Sequence, residues 1–125
     1  MLSKLVAQRC FHAAAGKPSV GFVGLGCMGK HMSKNLLKNG YAVKGYDISP
    51  DTEKFCSEAG IQHAKSVADV SKNVDFIVTC LPATAHVESV LKGDGGILAN
   101  ANKGTTICDV STIAPTGSVQ FYKDA

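Results

Sequence analysis

The chain has 125 residues, 45% of them hydrophobic and 18% charged, which is enough for one domain with a buried core but not for a multidomain assembly. Its formal net charge of +3 is too small to indicate a nucleic-acid partner, and no apolar window approaches the roughly 20 residues of a membrane span. We therefore expect a small globular domain that binds neither nucleic acid nor membrane.

The N-terminal segment 1–17 differs in composition from the rest of the chain. It contains basic residues but no acid, and Leu2, Leu5 and Val6 would share one face of a helix. This composition is typical of a mitochondrial transit peptide, so we predict a location in the mitochondrial matrix. A disordered N-terminal arm is the alternative. The folded domain is predicted to span residues 18–125.

Predicted strands and helices alternate through that domain. Short β-prone segments predict strands at 19–23, 41–46, 61–64, 76–80 and 105–108. The segment 76–80 is a continuous apolar run flanked by turn residues, which predicts a buried strand. Helical patterns predict a first helix with Met28, Met32 and Leu36 on one face, then helices at 52–59, 66–71 and 84–91, and a last one opened by Pro115. Alternation of this kind predicts an α/β fold: a Rossmann-type, doubly wound parallel sheet.

Loops at the carboxyl ends of parallel strands are where such sheets bind ligands. The predicted loops begin at Gly24, Asp47, Leu81 and Asp109. Only five strands are predicted where this fold usually has six, so we expect the sheet to be incomplete at its C-terminal end.

The first loop has the pattern G-x-G-x-x-G, in the order Gly24-Leu25-Gly26-Cys27-Met28-Gly29. It follows a predicted strand and opens a predicted helix, which is the setting required for binding a pyrophosphate. We expect Gly24 to allow a tight turn, Gly26 to let the backbone approach the phosphates, and Gly29 to let the helix pack on the strand. The alternative is a glycine turn that serves packing only.

An acidic residue follows the second predicted strand. Asp47 lies 18 residues beyond Gly29, where a carboxylate can accept hydrogen bonds from the hydroxyls of an adenosine ribose. The same charge would repel a 2′-phosphate, which favours NAD over NADP as cofactor. Alternatively, Asp47 is a turn or cap residue before Ser49 and Pro50.

Four stretches of the chain carry a family resemblance. They are the segment 20–36, Gly45-Tyr46-Asp47, Cys80-Leu81-Pro82, and the segment from Asp109 to Pro115 that reads DVSTIAP. In this order they resemble the β-hydroxyacid dehydrogenases, from about residue 18 to the end of the chain. Within the family, the similarity is to the mitochondrial members that oxidise 3-hydroxyisobutyrate to methylmalonate semialdehyde in valine breakdown.

The resemblance implies several binding residues. NAD contacts are implied for the whole glycine loop with Leu25, Cys27 and Met28, for Leu81 and Pro82, and for Thr112. His86 falls where the family usually has a cofactor-contacting asparagine. Hydroxyls at the end of a strand can bind a substrate carboxylate or the nicotinamide ribose, so we expect Ser111 to contact substrate. The alternative for Ser111 and Thr112 is a capping pair for the last helix.

We identify no catalytic base and no metal site in this chain. In the family, a lysine from a glycine-rich helix handles the proton, and neither Lys103 nor Lys123 matches its motif or position. We therefore expect the front part of a dehydrogenase, inactive alone and homo-oligomeric in its full-length form. Alternatives are a non-catalytic nucleotide-binding module, a methyltransferase, or a relative acting on tartronate semialdehyde or 6-phosphogluconate.

Overall fold

The computed structural model describes residues 16–125. All but the last two residues of the predicted transit peptide, 1–17, lie outside this described part of the chain. That segment therefore stays a prediction.

One sheet of parallel strands organises the described residues. The strands are β1 (Ser19–Val23), β2 (Ala42–Tyr46), β3 (Gln62–His63), β4 (Phe76–Thr79) and β5 (Thr106–Asp109). Their order is β3-β2-β1-β4-β5, and every neighbouring pair is parallel. The chain builds outward from β1 in one direction, then crosses back and builds in the other. This reversal opens a crevice at the carboxyl ends of β1 and β4, and it confirms the predicted α/β fold.

Helices follow the strands as predicted. They are α1 (Cys27–Lys38), α2 (Thr52–Ala59), α3 (Val67–Ser71), α4 (Thr84–Lys92), α5 (Ile97–Asn100) and α6 (Pro115–Asp124). Local signals set several of their ends: Gly40 has a φ of +83° just beyond α1, and Pro115 is the first residue of α6. At the start of α3 the Ser66 side chain accepts a hydrogen bond from the Asp69 amide at 3.0 Å. The four-residue α5 was not predicted, because so short a helix has no readable periodicity.

Alternate strand residues point to opposite faces and form two hydrophobic cores. The core beneath α1 and α2 contains Phe22, Val43, Cys56 and Ile61 with Met32 and Leu36 packed against them. The core beneath α3 to α6 contains Val23, Val70, Ile77, Val87, Leu91, Ile97 and Phe121. Each fully buried side chain of this size stabilises the fold by about 1.5–3 kcal/mol. Helices therefore pack on both faces of the sheet, which holds its strand ends, and the loops that follow them, in fixed positions.

Two hydrophobic residues of these elements are exposed. Met28 is 66% exposed, because it lies in the first turn of α1, past the end of the strands. Phe76 is 38% exposed, although its strand was predicted to be buried throughout. On the same face as Phe76, Val78 lines an open cavity of about 530 Å³ beside α1, so none of the described helices fully covers this part of β4. A continuous apolar run therefore did not ensure burial on both sides of the sheet.

The boundaries of β4 and β5 also differ from the prediction by one residue. β4 ends at Thr79 rather than Cys80, and β5 continues to Asp109 instead of stopping at Cys108. Thr79 and Asp109 are consequently paired in register at the carboxyl end of the sheet.

A nearly buried lysine attaches α3 to the sheet. Lys44, in β2, is 7% exposed, and its Nζ donates to the carbonyl oxygens of Asp69 at 3.2 Å and Lys72 at 3.3 Å. The Asp69 carboxylate lies 3.8 Å from the same nitrogen. A charged donor thus satisfies the Lys72 carbonyl just beyond α3, and it adds a second hydrogen bond to the Asp69 carbonyl, which also accepts from the Lys72 amide at 3.3 Å.

We expect Lys44→Met to lower the free energy of unfolding by about 2 kcal/mol, because it keeps the apolar stem but removes the charged donor. Urea denaturation followed by circular dichroism measures the change. Lys103→Met, at an exposed position, is the matched control and should stay within about 0.5 kcal/mol of the unmodified chain. Superimposable curves for the two variants would show that Lys44 does not hold α3.

Candidate functional site

The loop between β1 and α1 turns sharply at Gly24. Its φ is +96°, in the left-handed region, and its amide donates to the Tyr46 carbonyl oxygen at 2.9 Å. A Cβ added at this position would lie 2.1 Å from the carbonyl oxygen of Cys80. Only glycine fits here without displacing backbone, so the loop is held tightly against the ends of β2 and β4.

The other two glycines of the loop have opposite surroundings. A Cβ on Gly29 would lie 1.9 Å from the Gly24 carbonyl oxygen, so the first turn of α1 packs directly on the glycine turn. A Cβ on Gly26 would meet no atom of residues 16–125 within 4 Å apart from its chain neighbours. The turn and packing roles predicted for Gly24 and Gly29 are confirmed. Packing among the described residues does not require glycine at position 26, and the approach of a ligand to this residue stays a prediction.

The N-terminus of α1 has unpaired amides and no acid in its first turn, which are features of an anion-binding site. Gly26 is its N-cap, with no side-chain cap and no acid in the first turn. The Lys30 amide bonds to the Gly26 carbonyl oxygen at 3.0 Å, so the preceding amides of residues 27–29 have no acceptor within the helix. These N–H groups and the helix dipole, equivalent to roughly half a positive charge, suit a pyrophosphate.

Asp47 joins the loop after β2 to the glycine loop. Its Oδ2 accepts from the Leu25 amide at 2.7 Å, and its Oδ1 accepts from the Ser49 amide at 2.9 Å. Through the Ser49 amide, Asp47 thus also stabilises the turn before Pro50, as considered from the sequence. Each carboxylate oxygen can accept more than one hydrogen bond, so this half-buried side chain can still bind ribose hydroxyls.

These groups surround one cavity of about 310 Å³ at the crevice. Its lining consists of Gly24, Gly26, Cys27, Met28, Gly29, Asp47, Cys80, Leu81 and Pro82. The structure therefore brings together the glycine loop, the acid after β2 and the loop after β4. Cys80 was not predicted as a site residue, although its place directly before Leu81 at a strand end was a usable signal.

The remaining predicted residues lie outside this lining. Leu25 is buried, and only its amide takes part, through Asp47. His86 is exposed on α4, and Thr112 is exposed in the loop between β5 and α6. Cofactor contacts by His86 and Thr112 stay predictions.

Ser111 is engaged within the protein. Its hydroxyl donates to Asp109 Oδ1 at 2.6 Å and accepts from the Leu81 amide at 2.8 Å. The N-cap of α6 is Ala114, without a side-chain cap, so the capping role considered for Ser111 and Thr112 is wrong. A substrate contact by Ser111 would have to use its remaining lone pair, and that contact stays a prediction.

The thiols of the described residues are all free: Cys27, Cys56, Cys80 and Cys108. Burial raises the pKa of the Cys56 thiol to about 11. Desolvation, and secondarily the Asp109 carboxylate, raise the pKa of the Cys80 thiol above its ordinary value. Cys80 therefore presents an uncharged thiol to the cavity, which avoids repelling a pyrophosphate.

No group of three or more potential metal ligands comes together among residues 16–125. No helix within that range has the length and apolar character needed to cross a membrane.

Comparisons with known proteins agree with this geometry. Residues 19–125 match the family described as the NAD binding domain of 6-phosphogluconate dehydrogenase. The chain is 44% identical over 119 residues to rat mitochondrial 3-hydroxyisobutyrate dehydrogenase, covering 95% of this chain and 36% of that protein. It is 37% identical over 106 residues to the NAD-dependent L-serine dehydrogenase of Pseudomonas aeruginosa, covering 85% and 36%. The structure of Mycobacterium tuberculosis 3-hydroxyisobutyrate dehydrogenase with L-serine superposes with a TM-score of 0.79 at 29% identity, covering 85% and 35%.

The fold and the cavity define an NAD-binding domain of the Rossmann type. The chain belongs to the β-hydroxyacid dehydrogenase family, and its NAD-binding domain matches those of 3-hydroxyisobutyrate dehydrogenases. It spans about a third of the length of the relatives it matches.

Proposed function

We propose that this chain is the cofactor-binding part of a dehydrogenase that oxidises 3-hydroxyisobutyrate to methylmalonate semialdehyde in the mitochondrial matrix, as a step of valine breakdown. The observation that carries the proposal is the cavity in which Gly26, the start of α1 and Asp47 face one crevice. The similarity to the rat mitochondrial enzyme supports the substrate and the location. A homo-oligomeric full-length form is part of the same proposal.

The residues of the cavity have separate tasks in this reaction. The amides at the start of α1 hold the pyrophosphate, and Asp47 holds the adenosine ribose and disfavours a 2′-phosphate. Bound NAD supplies the hydride acceptor. The loop after β4, with Leu81 and Pro82, lies on the other side of β1 from Asp47 and borders the reactive half of the cofactor.

Oxidation of an alcohol also needs a base for the hydroxyl proton. No histidine or lysine lines the cavity among the described residues. We therefore expect the 125-residue chain to bind NAD but to produce no measurable NADH from 3-hydroxyisobutyrate.

An activity assay tests the substrate. Full-length protein containing this domain should reduce NAD with 3-hydroxyisobutyrate at a higher kcat/KM than with L-serine or 6-phosphogluconate. A clear preference for either competitor would replace the proposed substrate with a related hydroxy acid.

The cavity without a base also favours a second candidate, a non-catalytic nucleotide-binding module. Full-length protein that binds NAD tightly but oxidises none of these alcohols would support the module. NADH formation with any of them would exclude it.

A chemical protection experiment tests where NAD binds. Cys27 is exposed and lines the cavity, whereas Cys108 is exposed but lies outside it. NAD at ten times its Kd should slow alkylation of Cys27 about tenfold and leave Cys108 unchanged. Mass spectrometry after timed iodoacetamide treatment distinguishes the two thiols. Equal rates at Cys27 with and without saturating NAD would place the nucleotide elsewhere.

A further inference from the structure

We infer that Asp109 is a positioning residue for the nicotinamide half of the cofactor: through Ser111 it fixes the Leu81–Pro82 loop at the edge of the cavity. This inference rests on the proposed function, because it assumes that the crevice holds NAD. Asp109 does not line the cofactor cavity, and no role was assigned to it from the sequence.

Three donors converge on one oxygen of Asp109. Its Oδ1 accepts from the Thr79 hydroxyl at 2.7 Å, from the Ser111 hydroxyl at 2.6 Å and from the Ser111 amide at 3.2 Å. The Thr79 side chain is fully buried, so its hydroxyl depends on a protein acceptor. A single carboxylate oxygen thus joins the ends of β4 and β5.

Ser111 transmits this arrangement to the cavity. With its proton given to Asp109, the hydroxyl oxygen is oriented to accept from the Leu81 amide at 2.8 Å. The preceding amide, that of Cys80, bonds to the Val23 carbonyl oxygen at 2.9 Å. The loop is therefore attached to the sheet on two sides, immediately before Leu81 and Pro82 reach the cavity.

The order of the strands indicates which half of the cofactor the Leu81–Pro82 loop contacts. Asp47 follows β2, on one side of β1, while the Asp109 network joins β4 and β5 on the other side. A dinucleotide spans the crevice across the point where the strand order reverses. With the adenosine ribose at Asp47, the nicotinamide half passes over the loop that Ser111 and Asp109 hold. ADP, which lacks that half, should not depend on the loop.

Calorimetric titration of the 125-residue chain with NAD and with ADP tests this separation. We expect Asp109→Ala to weaken NAD binding roughly tenfold while ADP binding changes by less than about twofold. Asp109→Asn retains Oδ1 as an acceptor and should recover most of the NAD affinity. Asp94→Ala, which removes an equal charge at an exposed position, should leave both affinities unchanged.

The results of these titrations distinguish a failure of the positioning role of Asp109 from a failure of the proposed function. Unchanged NAD affinity in Asp109→Ala, or equal weakening of NAD and ADP, would overturn the positioning role. An unmodified chain that binds neither ligand would overturn the proposed function and the inference together. If Asp109→Ala does not fold, Ser111→Ala removes only the bridging hydroxyl and must give the same difference between NAD and ADP.

Discussion

Asp47→Ala is expected to weaken NAD binding by about 10- to 100-fold, the loss that follows when a charged hydrogen-bond acceptor is removed from a ligand hydroxyl. The variant also frees the Leu25 amide, which Asp47 holds at 2.7 Å, so the glycine loop itself loosens. Because Asp47 lies on the adenosine side of the crevice, ADP should lose affinity in parallel with NAD. Isothermal titration calorimetry measures both affinities.

Two further variants separate the charge of Asp47 from its hydrogen bonds. Asp47→Asn keeps an acceptor but removes the repulsion of a 2′-phosphate, so NADP should gain affinity relative to NAD. Asp51→Ala is the matched control, because Asp51 is exposed and its side chain does not cap α2. NAD affinity that is unaffected by Asp47→Ala would remove the basis for assigning Asp47 to the ribose.

Gly26→Ala and Gly29→Ala should change different properties of the protein, although each adds one methyl group. Gly26→Ala should weaken NAD binding, and Gly29→Ala should lower the free energy of unfolding. The new Cβ at position 26 meets open space, so the free energy of unfolding should fall by less than about 1 kcal/mol. NAD affinity should fall by more than about tenfold, because the methyl group lies where the pyrophosphate approaches the backbone. The Cβ at position 29 would overlap the Gly24 carbonyl oxygen at 1.9 Å and force α1 away from β1. This overpacking should cost about 3 kcal/mol.

Thermal melts and NAD titrations of the two variants give a direct comparison. The expected pattern is a stable Gly26→Ala chain with weak binding and a destabilised Gly29→Ala chain. A Gly26→Ala chain with full NAD affinity would show that the phosphates do not approach the loop at that residue.

The parts of the site that short-range chemistry determines could be predicted from the sequence. Gly24 has a positive φ, and the Gly29 backbone in α1 packs directly against Gly24, so only glycine fits at either position. Asp47 could be placed because a strand followed by an acid has a fixed position relative to the preceding glycine loop. The helix end at Gly40 and the start of α6 at Pro115 are local in the same sense.

Features that depend on contacts between distant residues could not be predicted. Asp109 and Thr79 are thirty residues apart and meet only because β4 and β5 pair in register. The hydrogen bond from the Ser111 hydroxyl to Asp109 therefore could not be predicted from the sequence. The exposure of Met28 could not be predicted for a related reason, because helical spacing indicates a shared face but not where the sheet beneath that face ends.

The account depends most on the binding of NAD by the crevice between the glycine loop and Asp47. Calorimetric titration of the folded 125-residue chain with NAD tests it directly. The account predicts saturable binding of one NAD per chain. A chain that retains its α/β circular dichroism spectrum but gives no binding heat with NAD or NADH at any temperature tested would contradict it.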